Sequence, residues 1–77
     1  MEKKVFILTY INEGETLETK AATSKKPLLE YAETKCKSLG YDDEDVKPVI
    51  YGLEHNGSYI DKENYDEWYL VEADMLD

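Results

Sequence analysis

No arginine occurs among the 77 residues, and all nine cationic side chains are lysine. Arginine supplies the planar fork that grips phosphate or carboxylate bidentately, so the chain lacks the commonest tool for reading nucleic acid or clamping a phosphorylated substrate. A single cysteine, Cys36, excludes an internal disulfide and points to a reducing, cytoplasmic setting. With only that cysteine and one histidine, His55, a structural zinc site has too few ligands. Four glycines and two prolines form none of the Gly-rich phosphate-cradling motifs. No segment approaches the roughly 20 apolar residues that span a bilayer. The opening "MEKKVFILTYINEG" starts basic, but its apolar stretch is short, contains Thr9 and Tyr10, and leads to no small-residue cleavage site, so the expectation is a soluble chain.

What is present is charge of the other sign. Eighteen acids against nine lysines leave a net of −9. The imbalance belongs to one half: residues 1–40 hold seven Lys and six acids, whereas residues 41–77 hold two Lys and twelve acids. Such a chain opposes the phosphate contacts that dominate nucleic-acid affinity, so direct binding of nucleic acid is not expected. The balance of 42% hydrophobic and 35% charged residues fits one globular domain over 1–77. At this length the core is thin, because a chain of about 60 residues buries only around 60% of its unfolded surface.

"KVFILTYI" alternates two apolar sets, Val5, Ile7, Thr9, Ile11 and Phe6, Leu8, Tyr10, which predicts a central strand. Turn chemistry around Gly14 returns the chain as "TLETKAAT", polar enough for a sheet edge. Thr23 or Ser24 then opens a helix that tolerates Pro27 in its first turn and closes at Gly40. Its stripe is Leu28, Leu29, Ala32, Cys36 and Leu39, and Glu33 and Lys37 stand at the favourable i,i+4 spacing. Beyond the acid run, "VIYGLEHNGSYI" reads as a second hairpin turning at Asn56-Gly57, with a short extra strand at "SYI". "DKENYDE" reads as a polar connector or as one helical turn capped by Asp61, and "WYLVEADML" as the last strand. The expected fold is α+β: about four antiparallel strands in the chain order β-β-α-β-β, with one amphipathic helix packed on one face.

Catalytic candidates are thin. Cys36 and His55 could form a thiolate–imidazole pair, but Cys36 lies on the apolar stripe with no third orienting group, which predicts an inert, buried thiol and no enzyme. Asp42–Asp45, or Asp61, Glu63 and Asp66, offer oxygen ligands for incidental divalent binding, yet "DKENYDEW" puts Tyr where a calcium loop needs its sharp-turn Gly. No cofactor is expected. Asn56-Gly57-Ser58 also matches a glycosylation acceptor, which the turn reading explains fully.

The acids and aromatics remain. "YDDEDV" follows a helix end, where the partial negative charge makes acids poor neighbours, and "NYDEWY" repeats the mixture. The candidate partner-binding set is therefore Tyr41, Asp42, Asp43, Glu44, Asp45, Asp61, Glu63, Tyr65, Asp66, Glu67 and Trp68, with carboxylates selecting a basic protein and Tyr and Trp anchoring it. In composition, though not in motif, the chain resembles small inhibitors that imitate nucleic acid, including phage-encoded anti-restriction and anti-CRISPR proteins. That likeness implies a non-enzymatic module of phage or mobile-element origin that competes for a surface which otherwise holds nucleic acid. The alternative expectation is a structural module whose acidity only confers solubility, with a homodimer through an edge strand such as "TLETKAAT" or "WYLVEADML".

Overall fold

The computed structural model describes residues 3–75, with side chains from 4 to 74. The first strand, β1 (Lys3–Asn12), turns into β2 (Glu15–Ala22) through Glu13 and Gly14, whose φ angles of 52° and 81° are the pair of left-handed residues a two-residue hairpin turn requires. Tyr10 faces Glu18 and Ile11 faces Thr16, so Leu17 is the extra residue of a bulge and is more than half exposed.

Helix α1 (Lys25–Ser38) begins after Ser24 and carries Pro27 in its first turn, as its sequence predicts. It ends in a Schellman motif: the amide of Tyr41 donates to the Cys36 carbonyl at 3.0 Å, that of Gly40 to Lys37 at 3.1 Å, and Gly40 supplies the positive φ of 96°. Leu28, Ala32 and Cys36 are buried, but Leu39 is the C-cap and 41% exposed, so the apolar stripe ends at Cys36, one member short of its expected end.

The segment expected to form a second hairpin is a helix, α2 (Asp43–His55). Asp42 is its N-cap and accepts the Asp45 amide at 2.9 Å, while Asp43, Glu44 and Asp45 occupy the first turn. There the unpaired N–H groups and the macrodipole favour negative charge. The acid run thus opens a second helix rather than trailing the first. Val46, Val49 and Leu53 are buried at i, i+3 and i+7, with Ile50 packed beside them. Pro48 sits in the second turn, where it lacks the amide that would bond the Glu44 carbonyl. Asn56 is the C-cap and Gly57, at φ 76°, takes the left-handed position after it, so Asn-Gly ends a helix and does not turn a hairpin.

The short strand β3 (Ser58–Asp61) and β4 (Asp66–Met75) make the second hairpin. The expected last residue of that strand, Leu76, lies outside the described residues. All pairings are antiparallel and the sheet order is β2-β1-β4-β3, which puts β1 and β4 in the centre and β2 at an edge. The fold is α+β with chain order β-β-α-α-β-β. Two helices, where one was expected, lie on the same face of the sheet.

Leu8, Tyr10, Trp68 and Leu70 point to the helices and pack with Leu28, Ala32, Cys36, Val46, Val49 and Leu53. Tyr10 and Trp68 are direct cross-strand partners with ring centroids 4.4 Å apart. Gly52 lets α2 approach β3, since a Cβ there would stand 2.8 Å from the Ser58 carbonyl oxygen. The alternate residues of the strands, Val5, Ile7, Thr9 and Ile11 on β1 and Tyr69, Val71 and Ala73 on β4, lie on the opposite face, and none belongs to the core. No described helix is long and apolar enough to cross a membrane.

Because the acid run caps α2, Asp42→Ala lowers stability by about 1 kcal/mol in urea unfolding, the usual cost of a lost N-cap. Asp42→Asn, which can still accept the Asp45 amide, restores most of that loss; equal stability of the two variants would remove the capping role.

Candidate functional site

Among the described residues Asp66 is the one buried charged residue, 4% exposed. It opens β4 opposite Asn12, on the helix-facing side of the sheet. Three donors converge on its oxygens: the Tyr10 hydroxyl at 2.7 Å, the Asn12 amide at 2.6 Å and the Tyr41 hydroxyl at 2.6 Å. The Tyr41 hydroxyl also lies 3.2 Å from Asp61 Oδ2, so a single proton serves two carboxylates. Asp61, the last residue of β3, caps the following turn by accepting the backbone amides of Glu63 at 3.0 Å and Asn64 at 3.3 Å, together with the Asn64 side chain at 2.8 Å. That side-chain bond, with the backbone amides and Tyr41 assisting against some desolvation, holds the Asp61 carboxyl below its usual range.

These groups border a half-open cleft of about 880 Å³ between the β3–β4 hairpin and the joint of α1 with α2. Asp45 enters it from the first turn of α2, and Pro48 and Tyr59 form apolar wall. Two acid runs some twenty residues apart in the chain, one at α2 and one at the hairpin, therefore meet around one hollow. Asp45, Asp61, Glu63 and Asp66 line it against a single cation, Lys62. Both Asp61 and Asp45 act on Tyr59, whose phenol is pushed up first by burial and then by these two charges. The ion pairs of the described residues use Glu18, Glu33, Asp43 and Glu72, and none of the four cleft acids.

The remaining predicted partner-binding residues divide. Asp42 caps α2, Asp43 lies 3.7 Å from Lys37, and Glu44 is exposed in the first turn. Tyr65, at the end of the hairpin turn, is 66% exposed and holds a left-handed φ of 59°, a conformation costly for a bulky residue. Glu67, on the open face of the sheet, accepts the Tyr69 hydroxyl at 2.6 Å. Trp68 is fully buried beneath the helices, which takes it out of any contact surface; its indole N–H has no acceptor. Asp66 and Tyr41 likewise act inward, toward each other. Tyr10, Asn12, Tyr59 and Asn64 escaped the sequence reading, because only the register of β1 against β4 sets Asn12 and Tyr10 beside Asp66.

The thiolate–imidazole pairing of Cys36 with His55 finds no support here. Cys36 is fully buried, and burial chiefly, aided by the charges of Asp66 and Glu33, pushes its thiol up to about 12. His55 is exposed at the end of α2, its ring stacked 4.3 Å from that of Tyr51. Among the described residues no group of three His, Cys, Asp or Glu is placed to hold a metal ion. The chemistry the cleft offers is electrostatic: converging carboxylates with apolar walls, suited to an ammonium or guanidinium. No protein family matches the chain, and no curated protein or solved structure matches it either.

Burial first, and hydrogen bonding to Asp66 second, raise the phenols of Tyr10 and Tyr41 far above the usual value of 10.0. A raised folded pKa means that the unfolded chain releases its proton first. The stabilisation is complete below pH about 10 and drains away as pH rises beyond it. Urea midpoints therefore fall steeply above pH 10, and Tyr41→Phe, weaker at neutral pH, shows a shallower alkaline decline. Parallel declines in the two proteins would separate the alkaline transition from this hydroxyl.

Proposed function

We propose that this protein is a non-enzymatic interaction module that binds a basic protein surface, seating a Lys or Arg side chain in the cleft bordered by Asp45, Asp61 and Glu63. The observation that carries the reading is the convergence of two sequence-distant acid runs on one hollow with only Lys62 to offset them. Four carboxylates held together by the fold repel one another, and a partner's cation relieves that repulsion while the net charge of −9 speeds its approach.

Tyr65 supplies the apolar anchor. A tyrosine that is 66% exposed and holds a left-handed backbone contributes little to the core, and the strain at such a position is commonly kept for function. In its narrower form the proposal makes the protein an inhibitor that imitates nucleic acid, with carboxylates standing where phosphates would. The partner's surface is then one that otherwise holds DNA or RNA.

A lysine-rich peptide titrated into the protein and followed by amide chemical shifts tests the reading. Shifts concentrate at residues 41–45 and 59–66, and affinity falls with added salt. Replacing Asp45, Asp61 and Glu63 by Asn, Asn and Gln weakens binding at least tenfold, chiefly through association. Tyr65→Gly leaves stability equal or up to about 1 kcal/mol higher, because glycine accepts the left-handed angle freely, yet speeds dissociation. Shifts spread evenly over all acidic residues, with no loss in the neutralised variant, would reduce the cleft to ordinary surface charge.

A further inference from the structure

Antiparallel sheets covered on one side normally turn polar residues to water on the other. Here both helices lie on one face, and the open face carries Ile7 and Ile11 on β1, Tyr69 and Val71 on β4 and Ile60 on β3, none of which joins the core. Val71 is 49% and Ile60 51% exposed. Such a patch is more than scattered surface apolarity; it has the character of an interface.

Charge identifies what covers it. The chain carries −9, and the helix side and hairpin ends display acids, but among the residues whose side chains are described the only charged group on the open face is Glu67, whose carboxylate is tied at 2.6 Å to the Tyr69 hydroxyl, and the one further charged position in its register is Lys3 at the start of β1. A basic partner gains nothing there. Two like-charged copies, by contrast, repel through every acidic surface and meet without charge on this one. We propose that a second copy of this chain packs face to face on the open side of the sheet, forming a four-layer α-β-β-α dimer about a two-fold axis. Packed sheets stand about 10 Å apart, and the helix layers fall on the outside. The α2 acids of the two copies are then separated by roughly 20 Å or more, about two Debye lengths at physiological salt, so their repulsion is screened.

The size of the face agrees. Strands of eight to ten residues set side by side give a footprint of roughly 30 Å by 15 Å, and two such faces with their side chains reach the ~1,000 Å² that separates stable interfaces from chance contacts. The dimer covers Ile60 at the rim of the acidic cleft but leaves Asp61 and Asp66 on the helix-facing side, and it does not depend on the cleft's having a basic partner.

Sedimentation equilibrium of the full chain reads the proposal. The expected mass is twice 8.9 kDa at the upper end of a series reaching about 1 mM, with association strengthened by salt, opposite in sign to binding of a basic peptide. Val71→Lys and Ile60→Lys, both at half-exposed positions, each weaken self-association at least tenfold while circular dichroism and the melting midpoint stay near wild type. Val71→Thr, which keeps the β-branched shape, gives a smaller loss in the same direction and serves if a lysine variant fails to fold. A wild-type chain that remains monomeric throughout the series overturns the proposal. So does a dimer indifferent to these substitutions whose formation instead slows amide exchange along the outer edge of β2, since that result assigns the contact to edge-strand pairing.

Discussion

A carboxylate shut away from water without a cation beside it is the constraint around which this small fold is arranged. Asp66 is 4% exposed, and no ion pair among the described residues includes it. Left unpartnered, such a group costs several kcal/mol. The cost is offset by Tyr10 and Asn12 from the neighbouring strand and by Tyr41 from the joint between the helices. The three bonds tie together segments 25 to 56 residues apart, so the sheet register and the position of the helix joint fix one another. The same bonds orient the wall of the cleft, because Tyr41 bridges Asp66 to Asp61. Core and site are one hydrogen-bonded unit.

That unit also separates the two surfaces the molecule presents. Carboxylates collect around the helix joint and the β3–β4 turn, where the N-terminus of α2, the Asp61-capped turn and the Tyr41 hydroxyl each stabilise negative charge locally. Among the residues whose side chains are described, the open face of the sheet carries a single charge, Glu67. A protein with net −9 and a thin core has little freedom to place its acids: those at a helix N-terminus, in a capped turn or beside a lysine contribute to folding, and the unpaired remainder repel. Much of the acidity therefore does structural work as well as defining a surface. The run at 42–45 is first of all a helix start, and only Asp45 of that run lines the cleft.

Local signals were legible where one period dominated. The double-faced apolar alternation of residues 5–11 marked a central strand, Gly14 its turn, and the stripe from Leu28 to Cys36 a helix that buries the thiol. The i,i+4 pair of Glu33 and Lys37 forms at 3.3 Å, as its spacing implied. The second helix was obscured by its own composition. Val49, Tyr51 and Leu53 alternate like a strand, Pro48 and Gly52 weaken any helical reading, and Asn-Gly is the strongest short hairpin signal there is. Its true markers were the cap Asp42, the acids of the first turn, and Val46, Val49, Ile50 and Leu53 at i, i+3, i+4 and i+7. Tertiary packing decided between the two periods: Gly52, poor for an isolated helix, is what lets the helix lie against β3.

The sequence by itself determined the class of the protein, α+β with a mainly antiparallel framework, the burial of Cys36, the concentration of negative charge in the second half and the want of an arginine fork. Each follows from composition or from a period that one element carries alone. Tertiary structure alone decided that Asp45, Asp61, Glu63 and Asp66 share a hollow, that Trp68 is core and Tyr65 surface, and that one sheet face stays bare. These depend on the ladder that sets Asn12 opposite Asp66 and Tyr10 opposite Trp68, and on both helices choosing the same side. Residues far apart in a chain become neighbours only when strands pair and a core closes, and no local periodicity encodes that register.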